Sequence, residues 1–152
     1  PLLMIDLIIR PVDASDRDRW WKLWQGYIEF YQATVTDEVS EVTWKRLLDD
    51  DVPAFGRVAE HPEHGVIAIM NYVLHLNLWT PKPVCYMEDL FTDPTARGQG
   101  AGRALIESLK ETAKAENWHR IYWMTAQNNA TARALYSQVA TETNWVRYDI
   151  NL

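Results

Sequence analysis

A single cysteine, Cys85, stands in 152 residues. One thiol closes no internal disulfide and builds no cysteine-rich metal site, and it fits a reducing intracellular setting, so a cytoplasmic location is expected. A basic surplus is missing too, since 15 Lys and Arg face 21 Asp and Glu for a net charge of −6. Binding to a phosphate backbone needs clustered positive charge, so no nucleic-acid partner is expected, and an acidic chain suits a cationic partner better. No apolar run is long enough to span a bilayer. Leu2 to Ile9 is broken by Asp6 and lacks the small-residue cleavage site of a signal peptide, so no membrane partner is expected either. His61, His64 and His75 have no fourth ligand at metal-site spacing, and no metal is expected.

What is present reads as one globular domain over 1–152, with 47% hydrophobic and 24% charged residues. Eight tryptophans call for a large core or an aromatic-lined site. Leu3 to Arg10 reads as a strand, and a helix capped by Asp13 or Ser15 runs to about Gln32. Its stripe of Trp20, Trp24, Tyr27 or Ile28 and Tyr31 fits a face packed on a sheet; it also fits an acceptor pocket lined by its exposed end. Thr34 to Ser40 reads as a loop and Ser40 to Asp49 as a second helix. Phe55 to Glu60 and Val66 to Trp79 form a hairpin. In its longer arm Met70, Tyr72, Leu74, Leu76 and Leu78 alternate with more polar residues, predicting one buried face. A central strand follows from Val84 to Thr92, then a helix to about Asn117, a fifth strand from His119 to Ala126, a helix capped by Asn128 or Asn129, and a last strand from Trp145 to Ile150.

The chain turns on Tyr86 to Gly102, a strand, a bend and a helix start holding Gly98, Gly100 and Gly102. Glycines let backbone N–H groups approach a bound group, and a helix N-terminus favours an anion; Arg97 and Arg103 add charge on either side. Two familiar phosphate loops fail here. The Gly-Lys-Ser/Thr of a P-loop is absent, and a dinucleotide fingerprint begun at Gly98 and Gly100 would place Arg103 where its third glycine belongs.

Arg97-x-x-Gly100-x-Gly102 instead resembles the acetyl-CoA signature of the GNAT superfamily of N-acetyltransferases, Q/R-x-x-G-x-G/A. Glu88-Asp89-Leu90-Phe91 before it and Asn129-x-x-Ala132-x-x-Leu135-Tyr136 after it extend the match over roughly Val66 to Tyr136. Trp79 to Asp89 also looks like the branch of diamine acetyltransferases and small histone acetyltransferases. The resemblance implies an α/β fold of the α+β kind. In it a mixed, mostly antiparallel sheet of about six strands, flanked by helices, is splayed between the fourth and fifth strands. It implies direct transfer of acetyl from acetyl-CoA to a primary amine in a ternary complex. The acceptor would be a polyamine, a small amine or a lysine side chain; a non-catalytic acyl-CoA sensor is the alternative.

The resemblance also distributes roles. Leu90, Phe91 and Thr92 would hold the pantetheine by their backbone, and Arg97, Gly98, Gln99, Gly100, Ala101, Gly102 and Arg103 the diphosphate. Glu88 would act as base, directly or through water, unless it is a structural carboxylate paired with a neighbouring cation. On a regular strand it shares a face with Tyr86, Leu90 and Thr92, while Cys85, Met87, Asp89 and Phe91 point the other way. Cys85, facing away, is no acyl carrier. Tyr136 would protonate the leaving thiolate or serve as core, and Asn129 would bond the pantetheine or cap its helix. Trp24, Tyr27, Trp79, Glu88 and Asp89 would surround the acceptor, since aromatic faces and carboxylates suit a cation. After Tyr136 the chain departs from the family, with one short strand in place of a hairpin. The open sheet edge left behind predicts a homodimer.

Overall fold

Runs of aliphatic and aromatic residues broken by Pro, Gly and Asp give five strands, Ile8–Pro11 (β1), Ala54–His61 (β2), Gly65–Asn77 (β3), Thr80–Thr92 (β4) and Arg120–Tyr122 (β5). In the computed structural model, which describes residues 6–152, they form one sheet in the order β1-β2-β3-β4-β5. The first four are antiparallel. β5 runs parallel to β4 and pairs with it only from Val84 to Tyr86. Beyond Tyr86 the two strands part, and this is the expected splay. Leu3 to Ile5 of the expected first strand lie outside the described residues.

Helices Arg17–Phe30 (α1) and Asp37–Leu48 (α2) cover one face of the sheet, and Ala101–Ala115 (α3) covers the other, with Ala130–Val139 (α4) beside it. Trp20, Trp24, Ile28 and Trp44 bury against Val58, Val66, Ile69 and Phe91 under α1 and α2. Leu105, Ile106 and Leu109 bury against Ile67, Met70, Cys85 and Met87 under α3. Asp13 caps the first turn in a capping box with Asp16. α2 begins before Ser40 because Thr36 accepts from the Val39 amide and Asp37 and Glu38 suit a helix start. Arg57 donates to Ser108 Oγ and Thr112 Oγ1, both at 2.5 Å, which pins α3 to β2.

The one-sided alternation expected for β3 does not hold. Both of its faces are buried from Val66 to Tyr72, because helices lie on either side of the sheet's middle. Past Tyr72 the hairpin runs beyond the helices, and Leu76 and Leu78 are exposed rather than buried. The last strand, Trp145 to Ile150, is not formed, so the sheet has five strands among the described residues. Strand backbone needs a partner to bond to, and this segment finds none among the described residues.

Candidate active site

The bend between β4 and α3 takes the form its glycines allow. Gly98 and Gly100 have φ of +82° and +80°, and a Cβ built on either would meet nothing within 4 Å, so both border open space. Gly100 is the N-cap of α3, and the first intrahelical bond runs from the Ala104 amide to the Gly100 carbonyl at 2.9 Å. The amides of Ala101, Gly102 and Arg103 therefore point out of the helix start with no partner among the described residues. Gln99 adds a buried Oε1 that is also without one. The Arg97 guanidinium lies 5.9 Å from the Phe30 ring and 6.0 Å from the Phe91 ring, on the α1 side. Arg103 turns the other way, to Gln138 of α4. Gly102 is a different kind of glycine, since a Cβ there would touch Leu135 Cδ2 at an ordinary 3.5 Å.

Leu90, Phe91 and Thr92 pair with β3 on one edge, and their other edge faces the splay. Between the splay and the hairpin tip β4 is irregular. Asn71 stands opposite Asp89 while Tyr72 stands opposite Met87, which makes Glu88 the extra residue of a β-bulge. The bulge overturns the expected sharing of faces. Met87 and Leu90 pack together under α3, whereas Asp89 and Phe91 turn to α1. Glu88 is left exposed. Its main-chain oxygen accepts from Tyr27 Oη at 3.4 Å, and its carboxylate joins no salt bridge among the described residues, so the structural ion pair considered for it is not formed.

Asp89 is the better buried of the two carboxylates. It accepts from Asn71 Nδ2 at 3.1 Å and lies beside the Tyr27 hydroxyl, and burial pushes its pKa up to about 6. Asn71 is 5% exposed, and its Oδ1 has no partner. Burial, with Asp89 alongside, also raises the Tyr27 hydroxyl. Tyr31 packs edge-on against Tyr27 with centroids 4.9 Å apart, and it is near enough to Tyr136 for their charges to interact. Tyr136 packs edge-on against Trp123, and burial pushes its hydroxyl up to about 12. Tyr27 thus links Asp89 of β4 to Tyr31 at the end of α1, and Tyr136 of α4 lies on the Tyr31 side of that group. Gly26 makes the approach possible, because a Cβ there would meet the Phe91 ring at 2.9 Å.

Tyr31 and Asn71 did not stand out in the sequence as site residues. Tyr31 belongs to the α1 stripe, and only its place facing α4 gives it a role. Two expected acceptor residues lie elsewhere. Trp24 is core, stacked on Trp20 and donating Nε1 to Ser40 Oγ at 2.9 Å. Trp79 is 98% exposed at the tip of the β3–β4 hairpin, about 30 Å along the strand from Glu88. Asn129 caps α4 by accepting from the Ala132 amide. Cys85 is fully buried, with its thiol pushed up to about 12 by burial, so it is no nucleophile. No metal-binding cluster occurs among the described residues, and no helix of theirs is long and apolar enough to cross a membrane.

Residues 20–140 match the Acetyltransferase (GNAT) family. The chain belongs to that family. Over 146 residues it is 34% identical to the D-amino-acid N-acetyltransferase HPA3 of Saccharomyces cerevisiae, covering 95% of this chain and 91% of that one. An uncharacterized N-acetyltransferase, YhfO of Bacillus subtilis, is 27% identical over 146 residues, covering 95% and 97% of the two chains. The fold also matches a possible acetyltransferase from Clostridium difficile 630 with a TM-score of 0.83 at 19% identity, covering 96% and 97%.

GNAT acetyltransferases use acetyl-CoA as co-substrate, and the residues of this one suit it. The outward amides at the start of α3, the open space over Gly98 and Gly100 and the Arg97 guanidinium offer donors, room and charge to a diphosphate. The unpaired edge of β4 offers strand-type hydrogen bonds to an extended amide-bearing arm.

Proposed function

We propose that this GNAT acetyltransferase transfers acetyl from acetyl-CoA to a primary amine held between α1 and β4. The observation that supports this most is the juxtaposition of an anion cradle at the start of α3 with a cation-seeking group of acceptors, Asp89 and the Glu88 carbonyl on the same strand-loop unit and Asn71 Oδ1 on the neighbouring β3. When bound, acetyl-CoA supplies an activated thioester. The chain's own residues do the rest. Gly98 to Arg103 hold the diphosphate, Leu90 to Thr92 align the pantetheine along the splay, Glu88 and Asp89 draw in an ammonium group, and Tyr136 offers a proton at Oη beside the leaving sulfur. With its hydroxyl pushed up to about 12, Tyr136 serves best as a hydrogen-bond donor there and gives the proton up only as sulfur charge develops.

Amines of the amino-acid type are the first acceptors to test, given the D-amino-acid activity in the yeast relative's name; polyamines and lysine peptides come next. Thiol release from acetyl-CoA across such a panel is the measurement. Turnover with at least one primary amine supports the reading, and coenzyme A binding with no thiol released from any would make the protein a sensor.

A second copy of the chain is the proposed partner. Leu76, Leu78 and Trp79 at the hairpin tip and Trp145, Val146, Tyr148 and Ile150 after α4 are all largely exposed, together on the order of 1,000 Å² of apolar surface per protomer. A standard interface needs roughly 800 Å² per partner. Tyr148 and Ile150 alternate with Arg147 and Asp149 at strand period, and β5 ends the sheet with its outer edge unpaired. Light scattering at micromolar concentration is expected to give twice the chain mass, and a monomer would remove the proposal.

A further inference from the structure

The proposed reaction needs a group that takes a proton from the incoming ammonium, and the resemblance named Glu88. The bulge in β4 separates the two candidates. Glu88 is the extra residue, exposed and joined to nothing through its carboxylate, whereas Asp89 faces inward under α1. Asn71 Nδ2 holds one oxygen of Asp89 at 3.1 Å, and Asn71 Oδ1, buried and unpartnered, waits beside it for a donor. An ionised Asp89 offers that oxygen no donor, and an ammonium brings three N–H groups.

We propose that Asp89, positioned by Asn71 and Tyr27, is the general base of this enzyme, and that Glu88 acts only as a surface carboxylate attracting the amine. The inference rests on the acetyltransferase reading above. In the step, an N–H bond of the ammonium breaks and its proton goes to Asp89 Oδ. The electron pair left on nitrogen forms the N–C bond as the C–S bond of the thioester breaks. The second nitrogen proton ends on the thiol sulfur, relayed by Tyr136, and Asp89 returns its own to water. A carboxylate held near 6 is a stronger base than an ordinary aspartate by about two units, roughly a hundredfold, and is still ionised at neutral pH. The titratable groups around it are Tyr27 from α1 and Tyr86 and Glu88 from its own strand; β3 contributes only the neutral Asn71.

The test is the pH profile of kcat/KM for an accepted amine in the wild type, Asp89→Asn, Glu88→Gln and Tyr27→Phe. Carboxyl ¹³C NMR titration of each protein without coenzyme accompanies it. The wild type should lose activity tenfold per pH unit below about 6, and one carboxyl should titrate there. Asp89→Asn should lose that limb, that resonance and about 10²- to 10⁴-fold in kcat while still binding coenzyme A. Glu88→Gln should keep limb and resonance with only a several-fold rise in KM. Tyr27→Phe removes a hydroxyl beside Asp89 that favours its charged form, so limb and resonance should both move to higher pH. An acid limb that survives Asp89→Asn and disappears in Glu88→Gln would overturn the assignment to Asp89. A wild type that binds coenzyme A yet acetylates no amine would overturn the acetyltransferase reading itself.

Discussion

Two ends of one continuous stretch, the bulge at Glu88–Asp89 and the bend at Gly98–Gly102, are built from opposite materials. The bend is made of main chain, with outward amides, open space and the positive end of a 15-residue helix. The bulge is made of side chains, a carboxylate clasped by an amide under a tyrosine, with burial raising its pKa. One end suits an anion and titrates with nothing. The other suits a cation, and its charge depends on pH. A main-chain cradle tolerates any side chain that leaves the backbone conformation alone, whereas a buried carboxylate depends on every neighbour it has.

Substitutions can break that contrast, beginning with the backbone. Gly100→Val places a β-branched side chain where φ is +80°, a strain of roughly 1–2 kcal/mol that moves the amides and fills the open space above them. Coenzyme affinity should drop tenfold or more by calorimetry, with kcat at saturation largely kept. An unchanged affinity would mean that the cradle lies elsewhere. At the other end, Asp89 binds its proton more tightly folded than unfolded, so this group's contribution to stability is lost as pH rises from the ordinary 3.8 through about 6. Asp89→Asn removes the buried charge, and its thermal midpoint at pH 7 should stand a few degrees above the wild type even as activity collapses. A lowered midpoint would show that the carboxylate is structural.

A third carboxylate has the reverse sign. Asp93, bonded to Arg19 at 2.5 Å and to the Thr95 amide, is held down to about 2. Its stabilisation is present above the ordinary 3.8 and fades as pH falls toward 2. Asp93→Asn should therefore lower the midpoint at pH 7 and have little effect at pH 2. The smallest change belongs to Gly102→Ala, whose Cβ would make only an ordinary contact with Leu135. Coenzyme affinity should stay within about twofold, since alanine suits a helical position at least as well as glycine.

How far the sequence carried each end follows from the same contrast. The bend was legible because its causes are local, alternating glycines, a flanking arginine and a helix stripe. The mixed, mostly antiparallel sheet and the splay between its fourth and fifth strands followed from the resemblance, and the caps at Asp13 and Asn129 were each one of two candidates from the pattern. A bulge is set by the register between two strands, and nothing in Tyr86 to Leu90 announces it. Strict alternation therefore grouped Cys85 and Met87 with Asp89 and Phe91, whereas the bulge puts the first two under α3 and the last two toward α1. Trp24 and Trp79 failed for a similar reason. Composition marks them as aromatic, but only packing reveals that one is enclosed between α1 and α2 and the other stands at a hairpin tip. Trp145 to Ile150 has the period of a strand and no partner to pair with among the described residues.

The most direct measurement compares coenzyme A with pantetheine, which has the same arm and thiol but no diphosphate, by calorimetric titration of the wild-type protein. Amides at the start of α3 that grip the diphosphate should give a clear heat with coenzyme A and binding at least about tenfold weaker with pantetheine, corresponding to a loss of about 1.4 kcal/mol. Equal binding of the two, or no heat with either, would contradict it.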